Sequence, residues 1–374
     1  MPVRLYKPKE SAWNDSFDQA SKTHSSSILV FMWILGIETS CDETGAAVVE
    51  DGRKLLSNVV ASSLSLHIPF GGVVPEIAAR SHIEVILPVI DEALKRAKTD
   101  WTKIDAISVT QGPGLLGSLL VGVLTARTLA IVKKKPLYAV NHVEAHVYAA
   151  FLEENRPQFP LLALIVSGGH TQLVLFKDHF DYKVLGRTTD DAVGEAFDKV
   201  AKILGLPYPG GPSISEAAKK GDPESVELPI AKTDNKDNFS FSGLKTAVLR
   251  AAQAQTGNDY DFPSTKLPDA LKESQKADMA ASFQKTAVET LLQHLIKAEK
   301  EFNPKSIVVA GGVAANRLLR TETKKRLKTR VIYPDIKLCT DNAAMVATLG
   351  FSQASNKRPE ADPYSLEPDP GLKM

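Results

Sequence analysis

The stretch Ile34-Leu35-Gly36-Ile37-Glu38, Thr39-Ser40-Cys41-Asp42-Glu43-Thr44, Gly45-Ala46-Ala47-Val48-Val49-Glu50 reads as an apolar strand, a polar turn and a second strand. The same design returns at Leu161 to Val166, with the small turn Ser167-Gly168-Gly169-His170 and a second strand from Thr171 to Phe176. Each copy continues into further strands and helices. A duplicated strand–turn–strand unit predicts an α/β chain of two related domains facing one another across a cleft, with a tight turn from each aimed into it. We place the first domain at 32–150 and the second at 151–355, with a polar, mobile surface insert near 253–276. The C-terminal helix has the option of packing back on the first domain.

The ends differ from this body. Residues 1–31 are rich in Ser, Lys and Asp and show little apolar periodicity, so we expect a disordered extension or a mis-called start ahead of Met32. Glu10, Asp15 and Asp18 weaken a transit-peptide reading, because such peptides avoid acids. Residues 356–374 are Pro-rich and charged and are expected to form a flexible tail. The 374-residue chain is 43% hydrophobic and 24% charged, long enough for two domains. No run reaches the roughly 18 apolar residues that span a bilayer, so no membrane partner is expected. A net charge of +1 confines nucleic-acid contact to local patches. Cys41 and Cys339 both fall inside motifs, which suits a reducing compartment. The cytoplasm is the expected location, with the mitochondrial matrix as the alternative.

In the first domain a helix is expected from Pro75 to about Ala97, then a strand at Ile104 to Val109 and a loop through Gly112-Pro113-Gly114. The next helix carries Gly114, Gly117 or Ser118, Val121 or Gly122, and Thr125 in a row of small residues that reads as packing. In the second domain an amphipathic stretch from Asp269 to Phe302 leads to a buried strand, Ser306 to Ala310. Gly311-Gly312-Val313-Ala314-Ala315-Asn316 and a basic helix follow.

His142 and His146 carry the strongest chemical signal. Four-residue spacing on a helix sets both imidazoles on one face, a turn apart, where they can grip one metal ion. Asp341, directly before the apolar run Ala343 to Ala347, would hold its carboxylate at a helix N-terminus as a third ligand. A zinc protease would need H-E-x-x-H. Here Glu144 lies two residues after His142, roughly 200° round the helix, and points away from the ligand face.

Other motifs are weaker singly. The Ser167-Gly168-Gly169 turn offers unobstructed amides to a phosphate, or simply turns the chain. Gly311-Gly312 admits a base or ribose, with Asn316 placed to hydrogen-bond it. Asp198 would accept from ribose hydroxyls or stand as an exposed helix acid, and Gly210-Gly211-Pro212 would allow close approach. The Gly311-Gly312 segment lacks the G-x-G-x-x-G spacing of a dinucleotide fold and the G-K-[ST] ending of a P-loop. Asp42 and Glu43 sit at the first turn's tip, from which a carboxylate serves as general base or positions an amine, or is merely solvated. The run Arg317, Arg320, Lys324, Lys325, Arg326, Lys328 and Arg330 is a solvated face by default and an RNA-backbone patch otherwise.

Taken together, Gly36-Ile-Glu-Thr-Ser-Cys-Asp-Glu-Thr44, Gly71-Gly-Val-Val-Pro-Glu76, Gly112-Pro-Gly114, the two histidines, Val166-Ser-Gly-Gly-His-Thr-Gln172, Phe239-Ser-Phe-Ser-Gly-Leu-Lys245, Ala310-Gly-Gly-Val-Ala-Ala-Asn316 and Cys339-Thr-Asp-Asn342 closely resemble the TsaD family. These are the tRNA N(6)-adenosine threonylcarbamoyltransferases, of the actin, Hsp70 and sugar-kinase (ASKHA) fold. The motifs keep the family's order from about Ile34 to about Phe351.

The resemblance implies transfer of a threonylcarbamoyl group from threonylcarbamoyl-adenylate to the exocyclic amine of the adenosine 3′ of the anticodon, in tRNAs reading codons that begin with adenine, with release of AMP. Carried over by position, His142, His146 and Asp341 correspond to ligands of one divalent metal ion per subunit, ferrous iron favoured and zinc the alternative. Ile165, Val166, Ser167, Gly168, Gly169, Asp198, Gly211 and Asn316 correspond to contacts of the adenylate donor. Because that donor is already an activated mixed anhydride, no serine or cysteine nucleophile is required. The amine must lose a proton, which Glu43 or Asp42 would accept. Implied partners are tRNA with a TsaB-like paralogue and a TsaE-like ATPase in bacterial members, or a homodimer in organellar ones. The rivals are a non-catalytic nucleotide-binding protein of the same fold, whose known examples lack the histidine pair kept here, and, further back, a metallopeptidase.

Overall fold

In this computed structural model, residues 31–231, 233 and 237–374 are described; all of the N-terminal extension but Phe31 lies outside them. Five strands form the first sheet: β1 (Trp33–Glu38), β2 (Glu43–Glu50), β3 (Lys54–Ser62), β4 (Ala106–Gly112) and β5 (Leu137–Asn141). The second holds β6 (Leu161–Val166), β7 (Thr171–Asp178), β8 (Asp181–Arg187), β9 (Ser306–Ala310) and β10 (Val331–Ile332). Their orders, β3-β2-β1-β4-β5 and β10-β9-β6-β7-β8, are the same topology read from opposite edges. In each, an antiparallel meander of three strands is extended from its first strand by two parallel ones. The duplication read from two hairpins therefore extends to whole sheets.

Helices α1 (Leu64–His67), α2 (Pro75–Arg96), α3 (Leu116–Lys133) and α4 (His142–Tyr148) belong to the first half. Helices α5 (Val193–Leu204), α6 (Gly210–Ala217), α7 (Ser242–Gln255), α8 (Leu267–Ala270), α9 (Glu273–Phe302), α10 (Arg317–Arg326) and α11 (Ala343–Ser355) follow. A cluster around Ile37, Val48, Ile90 and Val123 fills the space between the first sheet and α2 and α3. A cluster around Leu164, Phe197, Phe283 and Leu291 does the same under α5, α7 and α9. The third cluster joins the halves: Ile34, Val140 and Tyr148 meet Ile165, Val308 and Met345. Its central elements are α4 and α11, so the two candidate ligand segments are anchored in the core that both sheets share.

The approach of α11 is close. A Cβ on Gly36 would collide with the Ala343 carbonyl and the Ala347 backbone nitrogen, and Ser108 Oγ donates to Val346 O at 3.0 Å. The small-residue row of α3 also packs, against the β1–β2 turn: a Cβ on Gly122 would strike Thr39 Oγ1, and Thr39 Oγ1 donates to the Ser118 carbonyl.

Several expectations are corrected. Glu43 opens β2 rather than lying in the turn. The long amphipathic stretch is broken at Leu271, whose extended backbone separates α8 from α9. The insert expected to be mobile is anchored, because buried Gln253 donates to the carbonyls of Tyr260 (3.0 Å) and Phe262 (2.9 Å), and Leu267 and Leu271 are buried.

The C-terminal segment is docked as well. Arg127 donates to the carbonyls of Pro363, Tyr364 and Leu366, Ala361 N donates to Leu137 O, and Asp369 N donates to Gln111 O. Composition could not show this, since the attachment is through backbone groups. Helix α3 is also long and apolar enough to cross a membrane by length and composition, contrary to expectation. It instead covers the first sheet with Leu119, Val123 and Ala126, while Leu116, Leu120 and Leu124 are exposed.

Candidate metal centre

Strand β5 passes directly into α4 because Asn141 caps the helix. Its Oδ1 accepts from the backbone of Val143 (2.9 Å) and Glu144 (3.1 Å). His142 thus occupies the first turn and His146 the next, both buried. On the other side, Asn342 caps α11 by accepting from Met345 N at 3.1 Å, while its amide donates to the carbonyls of Leu338 and Thr340. These bonds fix the backbone on either side of Asp341.

One donor atom from each of His142, His146 and Asp341 lies within 4.8 Å of the others. Asp341 Oδ1 is 3.5 Å from His142 Nε2 and 3.4 Å from His146 Nε2. Donors bound tetrahedrally at about 2.0–2.1 Å stand roughly 3.3 Å apart, so these separations fit one ion between them. Both ring nitrogens of buried His146 lack a hydrogen-bond partner. A buried imidazole left unsatisfied is costly, and a cation at this point removes that cost. The three residues can therefore hold a metal ion.

Glu38 orients the first ligand. This fully buried carboxylate, at the end of β1, lies 3.3 Å from His142 Nδ1, and Ser40 Oγ is 3.1 Å from the same nitrogen. Thr110 Oγ1 and Ser40 N in turn donate to Glu38. A carboxylate on Nδ1 favours a proton there and leaves Nε2 free to ligate. Burial alone would lower the His142 pKa, but Asp341 and Glu38 raise it to about 9. Burial opposes the charges of Asp341 and Glu38 too, yet His142 holds both carboxyls below their ordinary values, joined at Asp341 by His146 and His170. Loading a cation onto this site must release a proton. Glu38 was not singled out from sequence; the available signal was an acid inside an otherwise apolar strand.

The acid turn borders this centre electrostatically. Burial, the Asp341 charge and Asp42, which hydrogen-bonds to it, raise Glu43 to about 9. Asp42 is buried. His170 is a further group that sequence reasoning passed over. Burial and the charges of His142 and His146 lower it to about 4, and it lines a cavity of about 240 Å³ with Gln172, Arg187, Val143 and tail residues Pro370–Met374.

The expected donor contacts divide. Ile165 and Val166 are fully buried, so only their backbone is available. Ser167 closes the turn through its backbone to His170, while Gly168 and Gly169 are exposed with open space where a Cβ would stand. Gly211 is likewise open. One Asp198 oxygen accepts from Gly210 N at 2.7 Å. Asn316 caps α10 through Leu319 N, and its amide donates to Gln284 and Ser215, so most of its capacity is used within the protein. In the basic run, Arg326 pairs with Glu289 and Arg320 lies over Tyr333, whereas Lys324, Lys325, Lys328 and Arg330 are exposed.

A family model described as TsaD, tRNA N6-adenosine threonylcarbamoyltransferase, matches residues 54–348. Curated relatives of that name include one from Symbiobacterium thermophilum, 52% identical over 85% of this chain and 90% of its own. Another, from Caldicellulosiruptor saccharolyticus, is 49% identical over 89% of this chain and 98% of its own. Among solved structures, T. kodakarensis HypF aligns with a TM-score of 0.55 at 15% identity, covering 89% of this chain and 49% of that one. Component A of (R)-2-hydroxyglutaryl-CoA dehydratase from Acidaminococcus fermentans gives 0.51 at 14%, covering 87% and 99%. The structural likenesses speak to the two-lobed fold alone. The sequence match covers most of the chain, from β3 into α11, and on it this chain belongs to the TsaD family of tRNA N6-adenosine threonylcarbamoyltransferases.

Proposed function

We propose that this chain moves the threonylcarbamoyl group of threonylcarbamoyl-adenylate onto the exocyclic amine of the adenosine 3′ of the anticodon, in tRNAs reading codons that begin with adenine. The observation that carries the reading is the convergence of His142, His146 and Asp341, from segments about two hundred residues apart, on one point. In the transfer, the amine nitrogen bonds to the carbamoyl carbon, the bond from that carbon to the phosphate oxygen breaks, and AMP leaves. The amine's proton goes to the acid turn. Burial and its acidic neighbours raise the Glu43 carboxyl, which favours Asp42 as the acceptor. The exposed amides of Gly168 and Gly169 are suited to the donor phosphate, and Asp198 keeps one oxygen for a ribose hydroxyl.

His142, His146 and Asp341 would hold ferrous iron, with zinc as the alternative; two histidines and one carboxylate with open positions suit both, and iron is the commoner occupant of such a facial set. Bound there, the ion supplies Lewis acidity to donor oxygens. A metallopeptidase reading is disfavoured, since Glu144 lines a different cavity with Tyr182 and Arg358.

A TsaB-like paralogue and a TsaE-like ATPase complete the system in our reading. Exposed Ile83 and Leu87 of α2, beside Leu116, Leu120 and Leu124 of α3, support a docking face for the paralogue. The test is incorporation of labelled threonine into tRNA by the purified chain with these partners, against cleavage of a peptide library. Incorporation without cleavage is expected, and peptide cleavage alone would overturn the proposal.

A further inference from the structure

Two fully buried histidines outside the metal centre converge on the turn that carries Asp42 and leads into Glu43 at the start of β2. His82, in α2, places Nε2 3.0 Å from the Cys41 carbonyl and Nδ1 2.7 Å from Thr44 Oγ1. A carbonyl only accepts, so Nε2 carries the proton and Nδ1 accepts from the Thr44 hydroxyl. Burial lowers the affinity of His82 for a second proton and keeps this neutral form. Ser118 Oγ, from α3, donates to the same carbonyl at 2.9 Å.

His67, which closes α1, serves the next residue in a parallel way. Val74 N donates to its Nδ1 at 3.2 Å, so its protonated nitrogen is Nε2, 3.0 Å from Ser63 Oγ. Ser63 Oγ then donates to the Asp42 carbonyl at 2.9 Å, and Ser63 N donates to that oxygen at 3.1 Å. Two successive carbonyls of one turn thus accept two bonds each. The donors come from α2 and α3 for Cys41, and from the β3–α1 junction for Asp42.

We propose that His82 and His67 are positioning residues for the transfer: their hydrogen bonds fix the backbone of Cys41 and Asp42 and so aim the two acids at the attacking amine. This rests on the reading that the acid turn takes the amine's proton. A misplacement of about 1 Å at reacting groups is enough to cost on the order of 100-fold in rate.

The test compares His82→Gln with His82→Asn. The glutamine amide reaches the place of Nε2 and keeps a donor on Cys41 while giving up Thr44. The asparagine amide sits at the place of Nδ1 and does the opposite. Each loses one of two bonds, so a purely structural role predicts equal losses. Positioning predicts that Gln keeps single-turnover transfer within a few-fold, while Asn loses on the order of 10–100-fold with an unchanged half-saturating donor concentration and a melting temperature equal to that of Gln. Ser118→Ala and Ser63→Ala, small changes that remove one donor each, are expected to slow transfer several-fold without altering donor saturation. They decide the matter if both His82 variants fail to fold.

Asp42→Asn is the control for the underlying reading. If neither it nor Glu43→Gln slows transfer, the acid-turn reading fails and takes the clamp with it. If it is inactive but the two His82 variants fall together, or both serine variants run at the wild-type rate, the clamp alone is overturned.

Discussion

His146 Nε2 lies 3.4 Å from Asp341 Oδ1, yet the two are not aligned to hydrogen-bond, and neither ring nitrogen of His146 has a partner. The three donor atoms of His142, His146 and Asp341 lie within 4.8 Å of one another, the spacing of ligands around one ion. Metal at about 100 times its Kd is therefore expected to stabilise the native chain by about 2.7 kcal/mol, seen as a rise of several degrees in Tm. His146→Ala should bind no stoichiometric metal and show no such rise; an unchanged metal content by elemental analysis would remove His146 from the ligand set.

Asp42 and Glu43 are expected to respond differently to loss of charge. Burial and its anionic neighbours raise the Glu43 carboxyl and so favour its neutral form, which glutamine resembles. Glu43→Gln should slow single-turnover transfer less than about ten-fold. Asp42→Asn should slow it by about 100-fold or more, the usual scale for losing a general base. The reverse order would move the base to Glu43.

Gly36→Ala should destabilise the chain by about 3 kcal/mol, because the added methyl meets the backbone of α11 at Ala343 and Ala347, where no side chain can yield. Chemical denaturation measures this directly. Since α11 positions Asp341, metal affinity should fall in the same variant.

Glu144 gives a pH signature. Burial, only partly offset by Arg358, raises its carboxyl from the ordinary 4.5 to about 7. The unfolded chain ionises this group freely as pH rises from 4.5 while the folded chain keeps its proton, so the contribution to stability is full at low pH and is lost through that window. The loss is roughly 3 kcal/mol by about pH 7, with no further change above it. Glu144→Gln should be more stable than the wild type at pH 8 and lack this part of the pH dependence; parallel stability curves for the two proteins from pH 5 to 8 would contradict the assignment.

The periodic parts of the fold were legible in sequence. Strand β9 and the start of α2 were placed within a residue, because buried apolar runs and a first-turn proline leave local signals. Asp341 was legible as a residue at a helix start. What escaped depends on distant partners: the docked tail is held by main-chain carbonyls on Arg127, and Gln253 is buried by bonds to the backbone. Glu38, His67 and His82 appear ordinary in sequence, since a buried polar group has meaning only through the groups that satisfy it. Asn316, read as a donor contact, also caps α10 through Leu319 N, a second role that its place in the sequence leaves open.

The most direct measurement is single-turnover transfer of labelled threonine from preformed threonylcarbamoyl-adenylate to tRNA, using protein stripped by a chelator and then reloaded. Loss of transfer on stripping, with recovery on adding ferrous iron or zinc in the wild type but not in His146→Ala or Asp341→Ala, is the predicted result. Undiminished transfer by the stripped protein, or full recovery in either variant, would contradict a metal-centred transferase built on these three residues.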